Sequence, residues 1–145
     1  MNLWSFAMIP DAKTLVVVAD GRRARLLEQP RLDGPLHDRP EWLAGLKQHH
    51  DHAPHSHIPH DGDLRDRAEQ LFLKDLAHKL DEVARAHPFD QMILIAPPRA
   101  LGKLREALST NLERKVTGSD PHERLDATLI TLQDVVHGAR HAVAA

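Results

Sequence analysis

Imidazole is the side chain best suited to chemistry at neutral pH, and half of this chain's imidazoles stand together. His49, His50, His52, His55, His57 and His60 are six of its twelve histidines, with Asp51, Asp61 and Asp63 among or just after them. Neutral imidazole ligates zinc, copper and nickel, and it titrates near physiological pH. A metal site needs three or four such ligands converging at about 2 Å, with outer partners that fix each tautomer. In an extended segment His55 and His57 would share one side, while His52 with His55, and His57 with His60, have spacings that suit a turn. The zinc-protease signature His-Glu-x-x-His is absent. Histidine-rich tracts without a signature bind metals weakly and in no single geometry. Two readings stay open. In one, His49, His50, His52, His55, His57, His60 and Asp61 supply ligands for a divalent transition metal, in a metal-binding protein or a metal-dependent hydrolase. In the other, favoured by the composition, the tract is a solvated polar loop.

A second constellation is Ala96-Pro97-Pro98-Arg99-Ala100-Leu101-Gly102-Lys103-Leu104-Arg105, where an apolar run gives way to a basic helical pattern. Ligands of open α/β sheets bind beyond the carboxyl ends of strands. The amides of a helix start attract anions. Arg99, Lys103 and Arg105 are therefore the candidates for holding a phosphate or an RNA backbone. The competing reading is an ordinary strand–turn–helix connection with solvated cations. Neither Gly-x-Gly-x-x-Gly nor a P-loop occurs.

Composition narrows the field. The chain has 145 residues, the size of one domain, and 41% are hydrophobic. Aromatic residues make up 3%, with no tyrosine, so a base-stacking platform is not expected. Net charge is −2 with histidines neutral, which does not suit a bulk electrostatic grip on nucleic acid. Zero cysteines remove disulfides, thiol nucleophiles and cysteine-ligated metals. No apolar run approaches the roughly 20 residues of a membrane span, and the first residues lack a basic signal-peptide start. The expectation is a cytoplasmic protein with no membrane partner.

The elements that must position these groups follow from periodicity. Lys13 to Asp20, with Val16-Val17-Val18, reads as a buried strand. Asp20-Gly21 signals a type I′ turn into a returning strand over Arg23 to Glu28. Leu36 to Leu43 is a candidate edge strand limited by Pro40, and residues 44 to 63 form the histidine-bearing loop. Apolar residues from Leu64 to His87 recur at helical spacing, with Pro88 as the stop. Met92 to Ala96 is a second buried strand, followed by a helix from about Arg99 to Asn111 and a short strand over Glu113 to Thr117. Asp120-Pro121-His122-Glu123 has the form of a helix start, with Gly138 as its end. The fold class is α/β: a single domain over residues 13–141 with a mixed β-sheet and flanking helices, preceded by an apolar arm at residues 1–12. That arm is a candidate contact for a homo-oligomer.

These residues also resemble a known family. Val17-Val18-Ala19-Asp20-Gly21-Arg22-Arg23-Ala24-Arg25-Leu26, Phe72-Leu73-Lys74-Asp75-Leu76-Ala77 and the run from Phe89 to Arg105 are similar to segments of bacterial host attachment proteins. The resemblance spans roughly residues 13 to 126. That family is similar to bacterial relatives of the archaeo-eukaryotic release factors. The resemblance implies the α/β fold of the release-factor middle domain and association with RNA or the ribosome. Release factors carry a Gly-Gly-Gln tip in the loop before the long helix. This chain has no Gly-Gly-Gln, and its histidines stand in that loop. The function that best joins these readings is a non-catalytic binding domain, with metal binding and homo-oligomeric assembly as alternatives.

Overall fold

The computed structural model describes residues 11–49 and 62–142. Strand β1 (Thr14–Ala19) lies at the middle of a five-stranded sheet. On one side it pairs antiparallel with β2 (Ala24–Gln29), which in turn pairs with a two-residue β3 (His37–Asp38). On the other side it pairs parallel with β4 (Gln91–Ile95), and β4 pairs parallel with β5 (Val116–Asp120). The spatial order is β3-β2-β1-β4-β5, a mixed sheet as the sequence implied.

The apolar run in β1 is continuous because both sheet faces are covered. Leu15, Val17 and Ala19 meet a core built with helix α1 (Gly62–Ala86), helix α2 (Pro98–Ala107) and the short helix α3 (Thr110–Lys115). Val16 and Val18 meet a second core completed by helix α4 (Leu129–Ala142) through Leu132, Val136 and Ala139. The result is a three-layer α/β domain. Gly118 permits the close seat of α4: a Cβ there would lie 2.5 Å from the Ala139 carbonyl oxygen.

Five local expectations are corrected. The β1–β2 turn is not type I′, because Gly21 has no positive φ. Instead Asp20 Oδ1 accepts from the amides of Arg22 and Arg23 at 2.7 and 2.8 Å, an Asx arrangement across a four-residue link. The edge strand shrinks to His37–Asp38, after which Pro40–Leu43 form a 3-10 turn. The helix beginning at Arg99 breaks at Leu108, whose backbone is extended. Ser109 then caps a new helix by accepting from the Leu112 amide at 3.3 Å. The following strand is displaced to Val116–Asp120, so Asp120 ends a strand rather than starting a helix. The last helix begins at Leu129, where Thr128 Oγ1 accepts from the Thr131 amide at 3.2 Å, and it runs through Gly138.

Residues 121–128 form a connection held by side chains. Arg25 donates to the carbonyls of Leu125 and Ala127 at 3.1 and 2.7 Å. Asp120 shares a hydrogen bond with His122 Nδ1 at 3.1 Å and accepts from Arg124 Nε at 3.0 Å. The Asp-Pro-His-Glu segment is thus a clamp on the end of β5, because pairing with β4 holds the backbone extended up to Asp120.

Candidate functional site at the carboxyl end of the sheet

The three parallel strands β1, β4 and β5 end together at Ala19, Ile95 and Asp120. The link after β4 leads directly into α2, and its Ala96 amide donates to the Asp120 carbonyl at 3.1 Å. Pro97 and Pro98 stop β4 and set the helix: Pro98 fixes φ at a position that needs no amide donor, and Pro97 lacks a capping side chain. The first-turn amides of α2 therefore face the sheet end without a side-chain acceptor from the cap.

Arg99 and Lys103 lie one turn apart on α2 and share the seam with α1. Arg99 pairs with Asp66, and Lys103 Nζ lies 3.9 Å from Glu69 Oε1. Lys103 Nζ is buried and finds no hydrogen-bond acceptor among the described residues. Glu69 also covers the β1–β2 turn, where a Cβ on Gly21 would lie 2.5 Å from Glu69 Cγ. Arg105 faces the opposite seam and pairs with Glu113 of α3 at 3.2 Å. The structure thus brings Arg99 and Lys103 together, separates Arg105 from them, and gives each a carboxylate neighbour. Arg99 remains 64% exposed, so its ion pair is held in solvent, where such pairs contribute about 0–1 kcal/mol. Exchanging Asp66 for another anion is correspondingly inexpensive.

Helix α1 begins well outside the core. Within residues 62–71 every residue is exposed except Asp66 and Glu69, which are half-buried. Leu64 and Leu71, two turns apart, are 58% and 60% exposed. Burial of α1 begins at Phe72 and Leu73. Apolar periodicity gave the helix its correct type, but the first two turns of that stripe meet no core.

Of the tract, His49 is exposed, and its amide donates to the Arg22 carbonyl at 3.0 Å beside the β1–β2 turn. His50, His52, His55, His57, His60 and Asp61 lie outside the described residues, as do residues 1–10 of the arm. Asp63 is exposed in the first turn of α1. The chain re-enters the described region at Gly62, so the tract precedes the exposed start of α1 in sequence.

A different group of side chains escaped the sequence reading. Asp33, in the β2–β3 link, meets His137 and His141 on the last turns of α4. His137 Nδ1 lies 3.0 Å from Asp33 Oδ1, and Arg140 reaches the same oxygen at 3.5 Å. The hydrogen bond from His137 holds the Asp33 carboxyl below its ordinary pKa, helped by the charges of His137, Arg140 and His141 against a smaller opposing effect of burial. Burial pulls the Arg140 pKa down. Arg140 also donates at 2.9 Å to both Thr14 Oγ1 and Gln29 Oε1, two buried side chains. The spacing of His137 and His141, four apart on a helix, was visible in the chain. Their partner Asp33, 104 residues from His137, was not.

The mixed five-stranded sheet, with helices on both faces and a long helix after the hairpin, is an α/β domain. A family model for bacterial archaeo-eukaryotic release factor family 12 matches residues 13–136, and the chain belongs to that family. No curated protein matches it.

Proposed function

We propose that this chain is a non-catalytic binding domain that docks on RNA or the ribosome through the sheet end where α1 and α2 begin. The observation that carries the reading is the exposure of the first ten residues of α1, where only Asp66 and Glu69 are half-buried, directly after the histidine tract. In the release-factor middle domain, as the family resemblance implies it, the equivalent loop bears the functional tip. Beside this exposed start Arg99 offers a guanidinium whose present partner is replaceable. Leu64 and Leu71 add apolar surface to the same helix.

The net charge of −2 argues that affinity comes from a local set of contacts and not from a long-range field. Binding to ribosomal RNA at low salt, weakened by Arg99→Ala and by Lys103→Ala, is the expected result of a filter-binding titration. Absence of binding at low salt, or affinities unchanged in both variants, would count against the proposal. Because Lys103 is largely covered, its variant is read only after its unfolding midpoint is shown to match the parent.

A further inference from the structure

We propose that Asp33, His137 and His141 form a three-ligand site for a divalent transition metal ion, at the end of the sheet opposite the docking surface. Several independent features converge there. His137 and His141 are four residues apart on one helix, so their rings meet on one face, with centroids 4.4 Å apart and planes tilted by 57°. Asp33 completes the set from a different element. One ligand atom from each of the three residues lies within 4.8 Å of the other two.

Ligand atoms around a tetrahedral zinc ion are separated by about 3.3 Å, given bonds of about 2.0–2.1 Å. The Asp33–His137 pair, at 3.0 Å, is already near that spacing, and an ion there would take the place of the proton they share. Small rotations of exposed imidazoles close the remainder. Two neutral imidazoles and one carboxylate suit zinc, nickel, cobalt or copper better than magnesium or calcium, which prefer oxygen ligands alone.

The carboxylate is also pre-positioned. Asp33 holds a left-handed backbone, φ 59°, a conformation that Asp tolerates better than most residues and that fixes the turn carrying its carboxylate. The following residue is pinned twice: the Gly34 amide donates to the Arg31 carbonyl at 2.9 Å, and Gln29 Nε2 donates to the Gly34 carbonyl at 3.0 Å.

Arg140 sets an opposing condition. Its guanidinium lies 3.5 Å from Asp33 and repels a cation, while its other end is committed to Thr14 and Gln29. It therefore orients the carboxylate at some cost in affinity, and the site is one of moderate strength. An ion held there would tie the end of α4 to the β2–β3 link, closing the layer that covers the second sheet face.

The histidine tract is the obvious competitor for metal, and the test must remove it. In the full untagged chain, His49, His50, His52, His55, His57 and His60 are all replaced by Gln, and zinc and cobalt(II) are titrated by calorimetry and visible absorption. The expected result is one equivalent bound, a cobalt spectrum of low coordination number, and an unfolding temperature that rises with zinc concentration. His141→Ala and Asp33→Asn should each weaken binding at least tenfold. His141 is exposed, and an unfolding temperature without metal equal to the parent's shows that the fold is kept. No stoichiometric binding in the tract-free chain, or binding unchanged by His141→Ala, would overturn the site.

Discussion

Arg140→Met isolates what a guanidinium does inside this fold. The side chain is 13% exposed and reaches the first residue of β1 and the last of β2, joining α4 to the middle of the sheet. Methionine keeps most of the aliphatic stem and removes the donors. Thr14 and Gln29, each 1% exposed, are then left without this hydrogen-bond donor in a place water does not reach. Leaving a buried polar group unsatisfied costs about 1–3 kcal/mol. Two such losses, reduced by the relief of desolvating a cation, place the net cost at about 2–4 kcal/mol. For a chain of this size that corresponds to a fall in Tm of roughly 5–15 °C. Urea unfolding measures it directly: the midpoint should fall while the slope stays constant, as the folded and unfolded surfaces are little changed. Thr14→Val, which is nearly isosteric, completes a double-mutant cycle. The coupling between the two sites should be about 1 kcal/mol or more. If Arg140→Met costs less than about 0.5 kcal/mol and the two substitutions are additive, then Arg140 only fills space and holds no network together.

Two further outcomes probe how the helices are placed. Gly118→Ala puts a Cβ 2.5 Å from the Ala139 carbonyl oxygen and 3.2 Å from Ile93 Cδ1, so α4 must move; a loss of about 1–3 kcal/mol in denaturant unfolding is expected, and a neutral result would show that α4 is not seated as described. Ser109 accepts from the Leu112 amide and donates to Asp81 Oδ1 at 2.8 Å, so Ser109→Ala should cost about 0.5–2 kcal/mol by the same assay, whereas no loss would remove the capping explanation for the break between α2 and α3.

Strong local patterns carried most of the architecture. The β-branched run Val16–Val18 and the apolar Met92–Ile95 were legible as buried strands because both of their faces are covered, which leaves no polar alternation to confuse the reading. The helix from residue 62 to 86 was legible from its period, up to the stop before Pro88. The misplacements share a cause. Around Leu108–Ser109 and Asp120–Glu123, short polar side chains offered more than one local arrangement, and tertiary contacts chose between them. Ser109 is held by Asp81 across the domain, and Asp120 is held by strand pairing with Ile95. A capping-type sequence is then realised as a strand end.

The candidate sites were legible to different degrees. Arg99 and Lys103 were singled out because a strand end and a helix start adjoin in sequence. Their carboxylate partners Asp66 and Glu69, more than thirty residues earlier, came from the packing of α1 on α2. Asp33 is separated from His137 and His141 by most of the chain, and only the return of α4 to the end of the sheet where β1 starts and β2 finishes brings them together. Spacing along a sequence locates sites within one element. Sites shared between elements depend on topology, and here the topology is set by the order of the five strands.

The central claim, that the end of the sheet bearing Arg99 docks on RNA or the ribosome, makes two opposed predictions from one ion pair. The full chain, its Arg99→Ala variant and its Asp66→Ala variant are each titrated against ribosomal RNA at about 50 and 200 mM monovalent salt. If Arg99 exchanges its carboxylate for a phosphate, the parent binds at low salt. Arg99→Ala then weakens binding and flattens the dependence of log affinity on log salt by about 0.7–0.9 for each phosphate no longer neutralised. Asp66→Ala, by freeing the same guanidinium, must tighten binding. No measurable binding by the parent, or Asp66→Ala and Arg99→Ala shifting affinity in the same direction, would contradict it.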